Sequence, residues 1–230
     1  MLATLINYLD YLSVGIKATI LVFAVSLLFG LCISFLVGLI RFARIPILYQ
    51  ICFLYVGIFR GTSLLIQLFW IYFSLPMFGI SISSFAAGCL GLALNNGAYG
   101  SEIVRGALSS VSKQQFEAAT ALNFSVGHTL RRIILPQALP EMIPPFGNLS
   151  IMLLKDTALV SMINIADITF RAQQLRTRTF DSLGVYAVTL VVYFVLALAI
   201  VAAVRLVEHY IRPEKRRTGF LSALIGDQQS

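Results

Sequence analysis

Five polar side chains stand in runs of sequence that are otherwise apolar: Gln67, Asn96, Glu102, Lys155 and Asp156. Amides and opposite charges in such a setting suit two tasks, holding a polar solute or locking helices together. Lys155 and Asp156 are adjacent, and adjacent residues on a helix do not face one another, so each needs a partner elsewhere. Glu102 has Arg105 three residues away and Arg60 as a second candidate. None of this suits catalysis. The two histidines, His128 and His209, stand apart from these carboxylates, and no nucleophile–base pair occurs. Cys32, Cys52 and Cys89 sit in apolar stretches without metal-like spacing and read as small core residues. No residue is assigned a catalytic or metal-binding role. A Gly-x-x-x-x-Gly-Lys-Ser phosphate loop is absent as well, so the chain is expected to bind no cofactor and hydrolyse no ATP itself.

The elements that must position these groups are set by composition. Of 230 residues, 58% are hydrophobic and only 12% charged, about half the charge of a soluble domain. With a mean hydropathy of +0.87, the chain reads as an all-α integral membrane protein in contact with the lipid bilayer. The net charge of +7 comes from arginines placed between apolar runs, the pattern of topology signals and not of a nucleic-acid patch. The first apolar run lacks a basic start and a small-residue cleavage site and is expected to remain.

About five transmembrane helices are predicted, over residues 16–40, 57–78, 82–104, 146–164 and 184–204. The stretch 45–59 reads as an interfacial or re-entrant segment, ended by the "RGTS" break at residues 60–63. The pair Pro144–Pro145 is expected to set the entry of the fourth span. An amino terminus outside and a carboxy terminus inside puts Arg41, Arg44, Arg60, Arg105, Lys113, Arg131, Arg132, Arg205, Arg212, Lys215, Arg216 and Arg217 in the cytoplasm. Only Lys17, Arg171, Arg176 and Arg178 stay outside, which satisfies the positive-inside rule. Ser26, Gly30, Ser34 and Gly38 recur at every fourth position, as do Ala87 with Gly91 and Ala93 with Gly97. Such faces let helix backbones approach closely.

Between the third and fourth spans, residues 109–136 read as a cytoplasmic helix-turn-helix. Ser112 and Gln115 match a capping box, and "QQFEAATAL" is strong helix-forming sequence. Asn123 suits the left-handed turn that ends a helix. Ser125 is expected to cap a second helix, and Pro136 to stop it. Phe116, Ala119 and Leu122 share one helical face, with Glu117 on another. The pair fits either a simple amphipathic surface element or a rigid docking knob with a charged handle.

"EAATALNFSVGHTLRRIILPQA" resembles the Glu-Ala-Ala loop of permease subunits of bacterial ATP-binding-cassette importers, with Asn123 where the family has Gly. "FRGTSLLIQLFWIYFSLP" at 59–76, "NNGAYGSEIVRGA" at 95–107 and "LLKDTALVS" at 153–161 resemble signatures of the polar amino-acid uptake group. Ser63 stands where that group commonly has Pro. The blocks follow in the right order and cover nearly the whole chain.

The resemblance implies a subunit of the bacterial cytoplasmic (inner) membrane that translocates a polar amino acid. An external solute-binding protein would deliver it, docking against the segment 165–183 if that segment is more than a solvated connector. A second permease subunit, identical or paralogous, would complete the pathway. A cytoplasmic ATPase dimer would use ATP and Mg and receive the loop as a coupling element. The residues carried over for coupling are Glu117, Ala118, Ala119, Leu122, Asn123, Leu135 and Pro136. Glu117 would engage the ATPase, Ala118 and Ala119 would permit close approach, and Pro136 would set the link to the next span. Lys155, Asp156, Glu102, Asn96 and Gln67 are the candidate pathway residues. A self-sufficient ion-coupled secondary transporter or channel is the alternative, although it would need an ion site and usually an internal repeat.

Overall fold

The computed structural model describes residues 2–211. Arg212, Lys215, Arg216 and Arg217, expected at a cytoplasmic carboxy terminus, lie outside the described residues. Those described fold into helices: α1 (Leu2–Ala43), α2 (Pro46–Gly61), α3 (Leu64–Phe69), α4 (Ser84–Ser110), α5 (Lys113–Ala121), α6 (Val126–Thr129), α7 (Leu135–Asp156), α8 (Ile168–Thr179) and α9 (Ser182–Ile211). A π-helical turn, Trp70–Ser74, and a 3-10 turn, Leu75–Phe78, continue α3, and a 3-10 segment, Thr157–Ile163, continues α7. The fold class is therefore the expected one.

Among the described residues, Tyr8–Ala43, Val126–Ile163 and Ser182–Ile211 are long and apolar enough to cross a membrane. Pro46–Gly61 and Leu64–Phe78 add a fourth if they count as one span, bent by 107°. The continuous helix expected over 57–78 is therefore broken, at Thr62 and Ser63, and 45–59 becomes most of a helix of its own. The element in place of the third predicted span, α4, is 27 residues long and falls outside that apolar set. The reason is its position. Asn95, Asn96, Ser101 and eight of its glycines and alanines are buried among other helices, so it needs no lipid-facing apolar surface. α9 is the opposite case, exposing Leu190, Val191, Phe194, Val195 and Leu198.

The small-residue face of α1 packs on α4, as its spacing predicts. A Cβ on Gly38 would lie 2.6 Å from Val104 Cβ, and one on Gly100 only 2.0 Å from Ser34 Oγ. Gly97 also faces α1, at Ile33, while on another face of α4 Gly91 meets Leu68 of α3. Cys52 and Cys89 are buried as expected, but Cys32 is exposed. It shares the outer side of α1 with Leu28, Phe29 and Leu36, and apolar residues of a membrane helix have lipid as well as core to face.

Pro144 and Pro145 do not begin the fourth helix; α7 starts at Leu135 and runs through Pro140, Pro144 and Pro145. Pro136 likewise does not stop the second loop helix. A π-helical turn, Leu130–Ile134, carries the chain from α6 into α7, and its wider winding accommodates a residue that lacks an N–H. Pro136, Pro140 and Pro144 are four residues apart, so their missing hydrogen bonds fall on one stripe, with Pro145 alone beside it.

Candidate functional site

The loop between α4 and α7 forms the expected pair of short helices, α5 and α6. Ser112 precedes α5 but makes no side-chain cap; only its carbonyl is used, accepting from Gln115 N at 3.1 Å. The predicted capping box is thus not formed. Asn123 does adopt the left-handed conformation, with φ 56°, and Ser125 Oγ accepts from His128 N at 3.3 Å to cap α6.

Phe116 rests on Phe42 of α1, ring centroids 6.2 Å apart, and Ala119 beneath it is 2% exposed. Ala119 therefore packs inside its own chain and cannot offer close approach to another protein. Leu122 does not share that face. The helix ends at Ala121, and the turn swings Leu122 out to 66% exposure, beside Phe124 and an 86%-exposed Val126. Glu117 and Ala118 are exposed with them. Leu135 packs into the cluster around Val104 and Ile134, while Pro136 is exposed.

The polar groups inside the bundle separate into distinct sets. Gln67 bridges the break between α2 and α3. Its Nε2 donates to Phe59 O at 3.0 Å and to Thr62 Oγ1 at 2.8 Å. From α4, Asn95 Nδ2 donates to Phe59 O at 3.0 Å and to Gln67 Oε1 at 3.1 Å. A helix end packed inside a bundle leaves carbonyls that must find donors, and these two amides supply them. Asn96 faces the other way, against α1. Its Oδ1 is buried without a partner, where a Cβ on Gly30 would approach within 2.9 Å.

Glu102 gathers three arginines. Arg105 contributes a bond at 2.8 Å, Arg60 stands at 3.5 Å, and Arg41 is at 2.5 Å. The first two are the partners the sequence suggested. Arg41, more than 60 positions away on a different helix, was not legible. Arg60 also lies over the Tyr99 ring, 5.2 Å from its centroid.

Lys155 and Asp156 end α7, which begins eleven residues before the predicted start of the fourth span. Among the described residues, no hydrogen bond or ion pair joins them to Glu102, Asn96 or Gln67. The five candidate pathway residues therefore do not form one constellation.

Asp167 is a buried group that the sequence did not single out. It caps α8 by accepting from Phe170 N at 2.8 Å, and Tyr193 OH donates to its other oxygen at 3.4 Å. Its backbone lies against Gly15 of α1, where a Cβ would come within 2.8 Å. Burial pushes its carboxyl up to about 6, against the opposing effect of these hydrogen bonds. An aspartate three residues ahead of Phe170 at a helix start was the available signal. The same end of the bundle holds Arg171 and Arg178 around the Tyr11 ring, each 5.6 Å from its centroid. The segment 165–183 is thus a helix anchored by Ile168, Ala172 and Leu175, with Arg176 and Arg178 exposed.

Residues 30–213 match the family described as the binding-protein-dependent transport system inner membrane component. The chain belongs to that family. This permease is 49% identical over 208 residues to a probable amino-acid ABC transporter permease of Sinorhizobium fredii, covering 88% of this chain and 87% of the relative. It is 36% identical over 206 residues to an L-cystine transport system permease of Bacillus subtilis, with 89% and 86% covered. A solved amino acid ABC transporter with histidines superposes with a TM-score of 0.83 at 31% identity, covering 90% of this chain and 97% of that one. The permease is the membrane subunit of an ATP-binding-cassette importer, a multi-pass protein of the inner membrane. Its family works with an ATPase and a binding protein, and a self-sufficient carrier or channel is not favoured.

Proposed function

We propose that this permease translocates a polar amino acid handed over by an external solute-binding protein, paired with a second permease subunit and driven by a cytoplasmic ATPase dimer that uses ATP and Mg. Relatives named for amino-acid and L-cystine transport support the substrate class. The observation that carries the coupling is the outer face of the α5–α6 pair. Leu122, Phe124 and Val126 are uncovered, as are Glu117 and Ala118, on a helix pair packed from behind by Phe116 and Ala119. Exposed apolar side chains beside an exposed carboxylate on one short helix pair make the kind of surface expected where another protein docks.

In this reading α4 is a fifth crossing. Its 27 residues span about 40 Å, more than the ~30 Å hydrocarbon core. The end bearing Arg41, Arg44, Arg105 and the α5–α6 pair faces the cytoplasm, and the amino terminus lies outside. Among the candidate pathway residues, the Glu102 arginine network and the Gln67–Asn95 junction are favoured over Lys155 and Asp156, because they share one stretch of α4 beside a broken helix. Broken backbone at membrane depth belongs beside a cavity or protein.

The test is Glu117→Lys in the assembled transporter. Expected is normal assembly of the membrane subunits, with uptake and substrate-stimulated ATP hydrolysis lost. Full uptake at normal expression would reject the docking role.

A further inference from the structure

The cytoplasmic end of the bundle carries a cavity that neither translocation nor coupling explains. Its volume is about 320 Å³, and Arg41, Phe42, Arg44, Tyr49, Arg105 and Ser109 line it. Three guanidinium groups thus face one space whose lining has no carboxylate. Glu102 touches Arg41 and Arg105 from outside that lining, so three positive charges are offset by one negative. Arg41 is 7% exposed and its Nε is buried with no hydrogen-bond partner. That Nε is occluded, so an anion in the cavity would meet the more open Arg44 and Arg105 directly and Arg41 through its charge. Guanidinium groups match phosphate oxygens in geometry as well as charge.

The surroundings indicate which kind of phosphate. A second depression, lined by Arg44, Pro46, Tyr49 and Gln50, shares Arg44 and Tyr49 with the first. Its lining includes the first turn of α2, a helix whose Ile47, Ile51 and Leu54 are exposed. A cationic pocket with room for a phosphate ester thus adjoins the start of a helix that exposes apolar side chains. Basic pockets between helices on the cytoplasmic side of a membrane bind anionic lipid headgroups.

We propose that the Arg41–Arg44–Arg105 cavity is a phosphate-ester site, filled by the headgroup of an anionic phospholipid of the inner leaflet with its acyl chains along α2. The leaflet rests on the orientation given above; the binding chemistry does not.

Native mass spectrometry of the full transporter in detergent, with phosphatidylglycerol or phosphatidylcholine added, tests the site. Arg44 is the residue to vary because it is exposed and outside the Glu102 network. Its φ of 53° is one that Asn also tolerates, so Arg44→Asn removes the charge without straining the turn. Expected is preferential retention of phosphatidylglycerol, reduced about fivefold by Arg44→Asn and restored by Arg44→Lys. Displacement of the lipid by millimolar inorganic phosphate would keep the phosphate chemistry but assign the site to a free anion. Equal retention of both lipids without competition by phosphate would overturn the proposal. So would a phosphatidylglycerol preference that Arg44→Asn leaves intact.

Discussion

Glu102 of α4 and Arg41 of α1 pair at 2.5 Å although 61 residues separate them in sequence, and the pair lies at one end of the close α1–α4 packing. Arg41 is 7% exposed, so truncating its partner strands a buried cation. Removing one member of a buried pair typically costs about 3–5 kcal/mol, whereas replacing both with apolar residues is far milder. Glu102→Gln and Arg41→Met are each expected to lower the thermal midpoint of the detergent-purified protein sharply, and Arg41→Met with Glu102→Leu to recover much of it. A double variant as unstable as the sum of the singles would show that the pair is not a unit. Arg60 and Arg105 share the same carboxylate, so the recovery is expected to be partial.

Close approach of α1 and α4 gives a second expectation. Gly38→Ala forces a Cβ to within 2.6 Å of Val104, a β-branched side chain with little room to rotate, and Gly100→Ala drives one into Ser34. Overpacking of this kind costs about 1–3 kcal/mol. Gly57 in α2 has nothing within 4 Å of its would-be Cβ, and Gly57→Ala is expected to be neutral or stabilising by up to ~1 kcal/mol through helix propensity. Thermal midpoints for the three variants check this. Equal effects at all three positions would mean that the small-residue face is not where the backbones meet.

Much of this architecture was legible because membrane sequences carry strong local signals. The four-residue spacing from Ser26 to Gly38 located the face that meets α4, and Asn123 located the turn between α5 and α6. What failed were rules that judge one residue by its local helix propensity. Pro136 read as a stop and Pro144–Pro145 as a start, yet a preceding π-turn lets the helix run from α6 through all three. Ala119 and Leu122 looked equivalent by periodicity, but the helix ends between them, and one is buried while the other is exposed. Long-range partners were illegible for a different reason. Arg41 reaches Glu102, and Gln67 reaches Asn95, only once three helices are assembled, and no spacing rule spans that distance.

Gln67 and Asn95 supply a third expectation. Both amides point at Phe59 O and at each other, so they act jointly on the orphaned end of α2. Gln67→Leu and Asn95→Leu are each expected to cost about 1–3 kcal/mol by leaving that carbonyl short of donors. The double variant should cost less than the sum, with a coupling of at least about 0.5 kcal/mol. Additivity in a thermal double-mutant cycle would mean that the break is held by something other than this junction.

Asp167 should make stability depend on pH. It lies between α7 and α8, outside the candidate crossing helices, and burial raises its carboxyl from 3.8 to about 6. A carboxyl whose folded value exceeds its unfolded one binds its proton more tightly when folded. Its contribution therefore favours the folded state below about pH 4 and is lost as pH rises through about 6. The loss is at most about 3 kcal/mol. Asp167→Asn keeps an acceptor to cap Phe170 N and stays neutral throughout. The purified protein is expected to lose thermal stability between pH 4 and pH 6.5 more steeply than the Asp167→Asn variant, and the difference between the two should level off above about pH 7. Parallel curves across that window would show that burial against α1 does not hold the carboxyl in its protonated form.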